Sequence, residues 1–174
     1  MYKYSFSHDT LRDFIASHSI DIFGISCIAL KEVPAVIEGE VRRADLVLVS
    51  QMIFPYVRIV EVKTKFEEYR EGIRQLLWFK ERGLANYYFL ALPESEVQYL
   101  DYYEELFKRN IGLLVLKPKK HITSFEIEVK KVEPAPKFEV RERDWVSLYK
   151  ELERVGKRNL ADWLKRTVGK TPLG

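Results

Sequence analysis

Two stretches of the chain decide the fold: Arg43-Ala44-Asp45-Leu46-Val47-Leu48-Val49 and Ile59-Val60-Glu61-Val62-Lys63. Both are rich in apolar and β-branched residues, with polar residues inserted at a period of two, so both are predicted to be β-strands. Pro55 lies in the segment between them, where proline favours a turn or a strand edge over continued pairing. The sequence therefore predicts a hairpin of two antiparallel strands.

The register of this hairpin brings charged residues together. If the turn centres on Ile53, Asp45 lies opposite Glu61, and Lys63 shares the face of Glu61 because side chains alternate along a strand. Directly opposed carboxylates repel each other and destabilise a sheet. A hard divalent cation explains them, since Mg²⁺ binds carboxylate oxygens and water, and a nearby Lys can orient one of those waters. The pattern predicts a metal site at Asp45 and Glu61 beside Lys63.

The order of these residues resembles the signature of the PD-(D/E)XK nuclease superfamily, in which an Asp at the start of one strand is followed by Glu-x-Lys on the next. Ala44 stands where that family often has Pro. The resemblance implies an α/β fold with a restriction-endonuclease-like mixed sheet and an α-β-β-β-α-β core. It also implies catalytic roles for Asp45, Glu61 and Lys63, with Mg²⁺ or Mn²⁺ held by the two carboxylates and the backbone carbonyl of Val62.

The helix predicted after Lys63 carries further candidates. The run Gln75-Leu76-Leu77-Trp78-Phe79 resembles the Gln-x-x-x-Tyr element of RecB-like and archaeal repair nucleases, with Phe79 in place of the Tyr. The resemblance implies a catalytic or backbone-binding role for Gln75, whereas its position about 140° from the middle of the apolar stripe also fits an ordinary exposed side chain. Arg70 and Arg74 are candidates for phosphate contacts or for ion pairs along the helix.

Glu40 is a candidate supplementary metal ligand. A two-residue reversal at Arg42-Arg43 would bring Glu40 across from Asp45, although Arg-Arg is poor chemistry for so tight a turn. The sequence leaves open whether one metal ion or two bind. The three histidines show no ligand spacing and are given no role: His8, His18 and His121.

Composition restricts the class of protein. The chain has 174 residues, 47% of them hydrophobic, which is enough for one substantial core. Its single cysteine, Cys27, offers neither a disulfide framework nor a zinc ligand set, so a reducing, cytoplasmic location is expected. The apolar run from Ile20 is short and interrupted by Asp21 and Gly24, and no signal-peptide pattern precedes it, so no membrane association is expected.

The order of elements can be read along the chain. A helix is expected over 8–17, strands from the apolar run at 20–30 and from 35–41, and a helix over 66–82. A strand–helix–strand unit over 85–116 predicts a parallel pair. The core domain is placed at 1–137, with a strand near 125–129, and a basic helical segment at 138–174.

The basic segment has two interpretations. Residues 141–174 hold nine Lys or Arg against five Asp or Glu. Two amphipathic helices around Gly156 resemble, weakly, a helix-turn-helix that binds phosphates, or they pack on the core. The cations available for phosphates are Lys157, Arg158, Lys165 and Arg166.

Together these features predict a metal-dependent deoxyribonuclease, with an endonuclease favoured over an exonuclease and DNA over RNA as the partner. A homodimer is compatible with the sequence. The alternative is a catalytically inactive nucleic-acid-binding or protein-interaction module on the same fold.

Overall fold

The computed structural model describes residues 7–51, 56–97, 108–118, 125–131 and 145–166. The helices are α1 (His8–Ser17), α2 (Ser19–Phe23), α3 (Tyr69–Glu81), α4 (Glu94–Val97), α5 (Val146–Arg154) and α6 (Arg158–Arg166), and a 3₁₀ turn (Phe66–Glu68) leads into α3. The strands are β1 (Cys27–Ile37), β2 (Glu40–Ser50), β3 (Val57–Val62), β4 (Tyr87–Pro93), β5 (Gly112–Pro118) and β6 (Phe125–Lys131).

These strands form one mixed sheet. They lie in the order β1-β2-β3-β4-β5-β6. The first three strands are antiparallel, β3, β4 and β5 are parallel to one another, and β6 returns antiparallel to β5. Helices pack on both faces of this sheet, so the predicted α/β, restriction-endonuclease-like architecture is confirmed, as is the parallel pairing within 85–116.

Alternation along the strands divides the apolar residues between two cores. Val47 of β2 and Ile59 of β3 lie in the larger core with α3, α5 and α6. Leu46 and Val60, their neighbours in sequence, lie in the smaller core beneath α1. Successive side chains of a strand point to opposite faces of the sheet, so the position of a charged residue along β2 or β3 determines the face on which it lies.

The alternation breaks at one row of the sheet. Ala44 and Val47 belong to the same core although they are three residues apart. Glu32 of β1 lies in the same row as Asp45, between the pairs Lys31↔Leu46 and Val33↔Ala44. Its φ is 52°. The register of the hairpin is the same on both sides of this row, so the change of face involves no extra residue. The distal half of the β1–β2 hairpin contacts α3, where Trp78 Nε1 donates to Glu40 Oε2 over 2.6 Å.

Two expectations about the segment before Asp45 are wrong. Residues 20–23 are part of α2 rather than of a strand, and Gly24, with a φ of 71°, ends that helix in the left-handed conformation. The β1–β2 reversal falls at Glu38-Gly39, with φ values of 52° and 80°, and not at Arg42-Arg43. Both residues of such a turn need positive φ, which glycine adopts freely and arginine does not.

The C-terminal helices pack on the same core as the sheet. Trp145, which precedes α5, donates from Nε1 to the carbonyl of Pro34 in β1 over 2.7 Å. Leu148, Leu152 and Leu164 are fully buried in the larger core. The interpretation of an amphipathic pair packed on the core is therefore confirmed for residues 145–166.

Some expectations fall outside the described residues. They are the turn at Ile53, most of the helix after Pro93 and the linker near Pro134. Among the helices that are described, none combines the length and hydropathy needed to cross a membrane.

Candidate metal centre

The predicted pairing of the two carboxylates is confirmed. The ladder between β2 and β3 runs from Val49↔Val57 to Leu46↔Val60, and one further step in this register places Asp45 opposite Glu61. At that step the backbone amides donate to side-chain carboxylate oxygens. The amide of Val62 donates to Asp45 Oδ2 over 2.8 Å, and the amide of Asp45 lies 3.4 Å from Glu61 Oε1.

Glu61 is a buried carboxyl beside a second one. Its side chain is only 2% exposed. Burial, and then the charge of Asp45 and a hydrogen bond to it, raise the pKa of Glu61 well above its ordinary value, against the opposing charge of Lys63. Without a further cation, the ionised form of Glu61 is therefore disfavoured in the folded protein.

Lys63 lies at the end of β3, on the side covered by α3. Its amide donates to the carbonyl of Ala91 over 3.0 Å, which continues the parallel pairing with β4. Its half-buried side chain runs beneath Gly72 of α3. Because Glu61 is two residues earlier on the same strand, the two side chains share this side, as the sequence predicted.

Two residues that the sequence did not indicate, His8 and Glu32, lie beside Asp45. His8, at the start of α1, places Nε2 3.1 Å from Asp45 Oδ2. Glu32 faces Asp45 at the irregular row of β1, so Glu32, Asp45 and Glu61 cross three neighbouring strands. Donor atoms of His8, Glu32 and Asp45 all lie within 4.8 Å of one another.

The neighbours of His8 and Glu32 compensate their charges in the metal-free protein. Burial lowers the pKa of His8, but Asp45, Asp9 and Glu32 together outweigh that effect and leave the pKa raised. Glu32 Oε1 accepts from Arg12 Nη1 over 2.8 Å, and the Arg12 side chain is only 12% exposed. Thus α1, which carries both His8 and Arg12, supplies a partner to Asp45 and a partner to Glu32.

The donor set fits a hard or borderline divalent cation. Carboxylate oxygens suit Mg²⁺ and Mn²⁺, and an imidazole nitrogen is a further ligand accepted by first-row transition metals. Glu61 is buried opposite Asp45 and so adjoins this donor set, although it is not one of the three residues whose donor atoms lie within 4.8 Å of one another. The backbone amide of Val62 donates to Asp45 Oδ2, whereas the role predicted for its carbonyl as a metal ligand stays a prediction.

Glu40 is not near the carboxylates, and its prediction as a metal ligand is corrected. Since the reversal lies at Glu38-Gly39, Glu40 is at the far end of β2, five residues from Asp45, or about 16 Å along a strand. Its Oε2 accepts from Trp78 and lies 3.5 Å from Arg82 Nη2. Glu40 therefore fixes the hairpin end to α3.

The predicted residues of α3 lie at different distances from the centre. Gln75 Nε2 donates to the carbonyl of Arg43 over 3.3 Å, so it ties α3 to β2 two residues before Asp45. Arg70 and Arg74 are exposed, and the Nε of Arg70 bonds the hydroxyl of Tyr69. Both arginines line a surface pocket of about 300 Å³ with Ile73, Leu77 and Arg109.

The basic residues of the C-terminal helices are not equivalent. Arg158 and Arg166 are exposed at the two ends of α6. Lys165 Nζ lies 3.5 Å from Glu153 and above the ring of Tyr149, and Lys157 Nζ lies 3.5 Å from Gln51 Oε1. Of the four predicted phosphate contacts, the two arginines are the better candidates.

Of the comparisons with known proteins, the one with solved structures gives matches to this chain. No protein-family model matches the chain, and no curated protein matches it. A protein of unknown function from Silicibacter pomeroyi is 17% identical, with a TM-score of 0.55, over 96% of this chain and 97% of that one. An fdxN element excision controlling factor from Anabaena variabilis is 13% identical, with a TM-score of 0.50, over 71% and 99%. A XisH family protein from Nostoc punctiforme is 13% identical, with a TM-score of 0.47, over 67% and 98%.

At these identities the similarity to the first two structures shows a shared fold and does not show an activity. The match to the Silicibacter pomeroyi protein spans nearly the whole of both chains, whereas the match to the Anabaena variabilis protein spans 71% of this chain and 99% of that one.

Proposed function

We propose that the protein is a metal-dependent nuclease that hydrolyses phosphodiester bonds in DNA. The observation that carries the proposal is the buried Glu61 carboxyl opposite Asp45, with Lys63 two residues farther along the same strand. A sheet selected only for stability would not place a carboxylate there, because burial and the neighbouring charge of Asp45 both make its ionised form costly. A bound divalent cation removes this cost.

In this mechanism Asp45 and Glu61 would hold Mg²⁺ or Mn²⁺, with His8 and Glu32 available as further ligands. When bound, the ion would supply Lewis acidity for the phosphate and would make water at the site more acidic. Lys63 orients the attacking water and donates a hydrogen bond to the phosphoryl oxygen on which negative charge increases. No residue is required as a covalent nucleophile.

DNA is the proposed substrate for two reasons. Exposed cations, among them Arg74, Arg158 and Arg166, can contact phosphates, which supply most of the affinity of non-specific binding. The Anabaena variabilis protein of similar fold is described as controlling the excision of the fdxN element, and this supports DNA over RNA. The inactive module is not favoured, because Asp45, Glu61 and Lys63 are all present.

A cleavage panel tests the proposal. Labelled single-stranded, duplex and branched DNA and single-stranded RNA are incubated with the protein in EDTA, in Mg²⁺ and in Mn²⁺. We expect metal-dependent cleavage of at least one DNA substrate by the wild type and none by Lys63→Ala. If no substrate is cleaved with either metal while DNA is still bound, the inactive binding module replaces the nuclease.

Charge reversal on α6 tests whether this helix contacts DNA. We expect Arg158→Glu/Arg166→Glu to weaken duplex binding and to lower the log–log salt slope by about 0.9 for each phosphate that the helix no longer binds. Both side chains are exposed, so the melting temperature should change little. The matched control is Lys150→Glu/Arg154→Glu, which makes the same charge change on α5. Equal slopes in the two variants would limit α6 to packing.

A further inference from the structure

We propose that Gly72 is a positioning residue for Lys63, an inference that rests on the proposed function. Gly72 lies in the first turns of α3, where this helix crosses the end of β3. A Cβ at position 72 would lie 2.7 Å from Leu90 Cδ1, 3.3 Å from Lys63 Cγ and 3.5 Å from Lys63 Cε. The helix therefore lies directly on the aliphatic part of the Lys63 side chain.

The conformation of Gly72 does not explain the choice of glycine. Gly72 lies inside a regular α-helix, where alanine would be more favourable by roughly 1 kcal/mol. Gly24, Gly39, Gly83 and Gly156, in contrast, all have positive φ and so use the freedom of glycine in turns and helix ends. What distinguishes Gly72 is the close approach to two side chains of the sheet.

The two contacts have different consequences. Leu90 is fully buried in the larger core, so its contact concerns the packing of α3 on β4. Lys63 is half-buried, and its charge acts on Glu61, so its contact concerns the position of an ammonium group beside the carboxylates. A long flexible side chain is otherwise free to turn to solvent. By lying on its methylene groups, Gly72 restricts the Lys63 amine to the metal centre.

This difference makes the proposal testable with Gly72→Ala and with Gly72→Ala/Leu90→Val. The second substitution removes the Cδ1 atom nearest the new methyl group, so the packing of α3 recovers while the contact with Lys63 remains. We expect both variants to lose about tenfold in kcat, since small displacements of a positioned group are costly. KM should stay within about twofold, because ground-state binding is not altered. Leu90→Val alone is the matched control and should keep the wild-type kcat.

Two measurements separate positioning from packing. The melting temperature should fall in Gly72→Ala and recover in the double variant, whereas kcat should stay low in both. In parallel, ¹³C-methylated lysines are observed by NMR in the metal-free protein, with the Lys63 signal assigned by its loss in Lys63→Arg. We expect this signal to move in both variants that carry Gly72→Ala and to stay in place in Leu90→Val.

Recovery of kcat together with the melting temperature, or an unmoved Lys63 signal in the double variant, would overturn the positioning role. The NMR measurement does not depend on activity. A wild type that cleaves nothing would therefore refute the proposed function, while a moved Lys63 signal would still support the contact itself.

Discussion

We expect Glu61→Gln to lower metal-dependent cleavage by about 10³-fold or more, a loss typical of removing a group that acts at the reacting centre. Glutamine has nearly the same shape as glutamate, so the buried position opposite Asp45 is preserved. What is lost is the negative charge that holds the cation. Initial rates on the best DNA substrate, in Mg²⁺ and in Mn²⁺, measure the effect.

The matched control is Glu71→Gln, which makes the same change on the exposed face of α3. It should cleave at the wild-type rate. Substantial cleavage by Glu61→Gln would remove Glu61 from the catalytic residues.

The second expected result is that the same variant is more stable than the wild type when metal is absent. The pKa of Glu61 is raised in the folded protein by burial and by Asp45. Between the ordinary carboxyl pKa of about 4.3 and the raised folded value, the folded state binds more protons than the unfolded state. The free energy of unfolding therefore falls as the pH rises through this window, and the full loss remains above it.

Glu61→Gln has no such titration, since its amide resembles the protonated acid. The difference in free energy of unfolding between variant and wild type should be near zero at about pH 4 and should increase toward neutral pH. Denaturant unfolding in EDTA across this range measures it. A wild type that is at least as stable as the variant at every pH would mean that Glu61 has a stabilising structural role.

The residues of the β2–β3 hairpin show why the register could be predicted. One proline between two strands of alternating pattern left few ways to pair them, and the observed Leu46↔Val60 pair continues to Asp45 and Glu61 as expected. The two-residue spacing of Glu61 and Lys63 then fixed their common side. These are local relations within a sheet, which the period of two determines.

The residues that were missed depend on tertiary packing. Nothing in the sequence around His8 indicates that α1 crosses the sheet at Asp45. Glu32 lies opposite Asp45 in the β1–β2 register, but no glycine marks its φ of 52° and no pattern in the sequence indicates its place there. The prediction for Glu40 was wrong for a different reason. The glycine of Glu38-Gly39 is a turn signal in the sequence, but the reversal was considered at Arg42-Arg43 instead.

Isothermal titration of Mn²⁺ into the metal-free protein, with Glu61→Gln and Glu71→Gln in parallel, is the direct test of the proposed metal centre. We expect saturable binding in the wild type and in Glu71→Gln, and affinity lower by about tenfold to a hundredfold or more in Glu61→Gln. Equal Mn²⁺ affinity in all three proteins, or no binding by the wild type, would contradict a metal centre at Asp45 and Glu61.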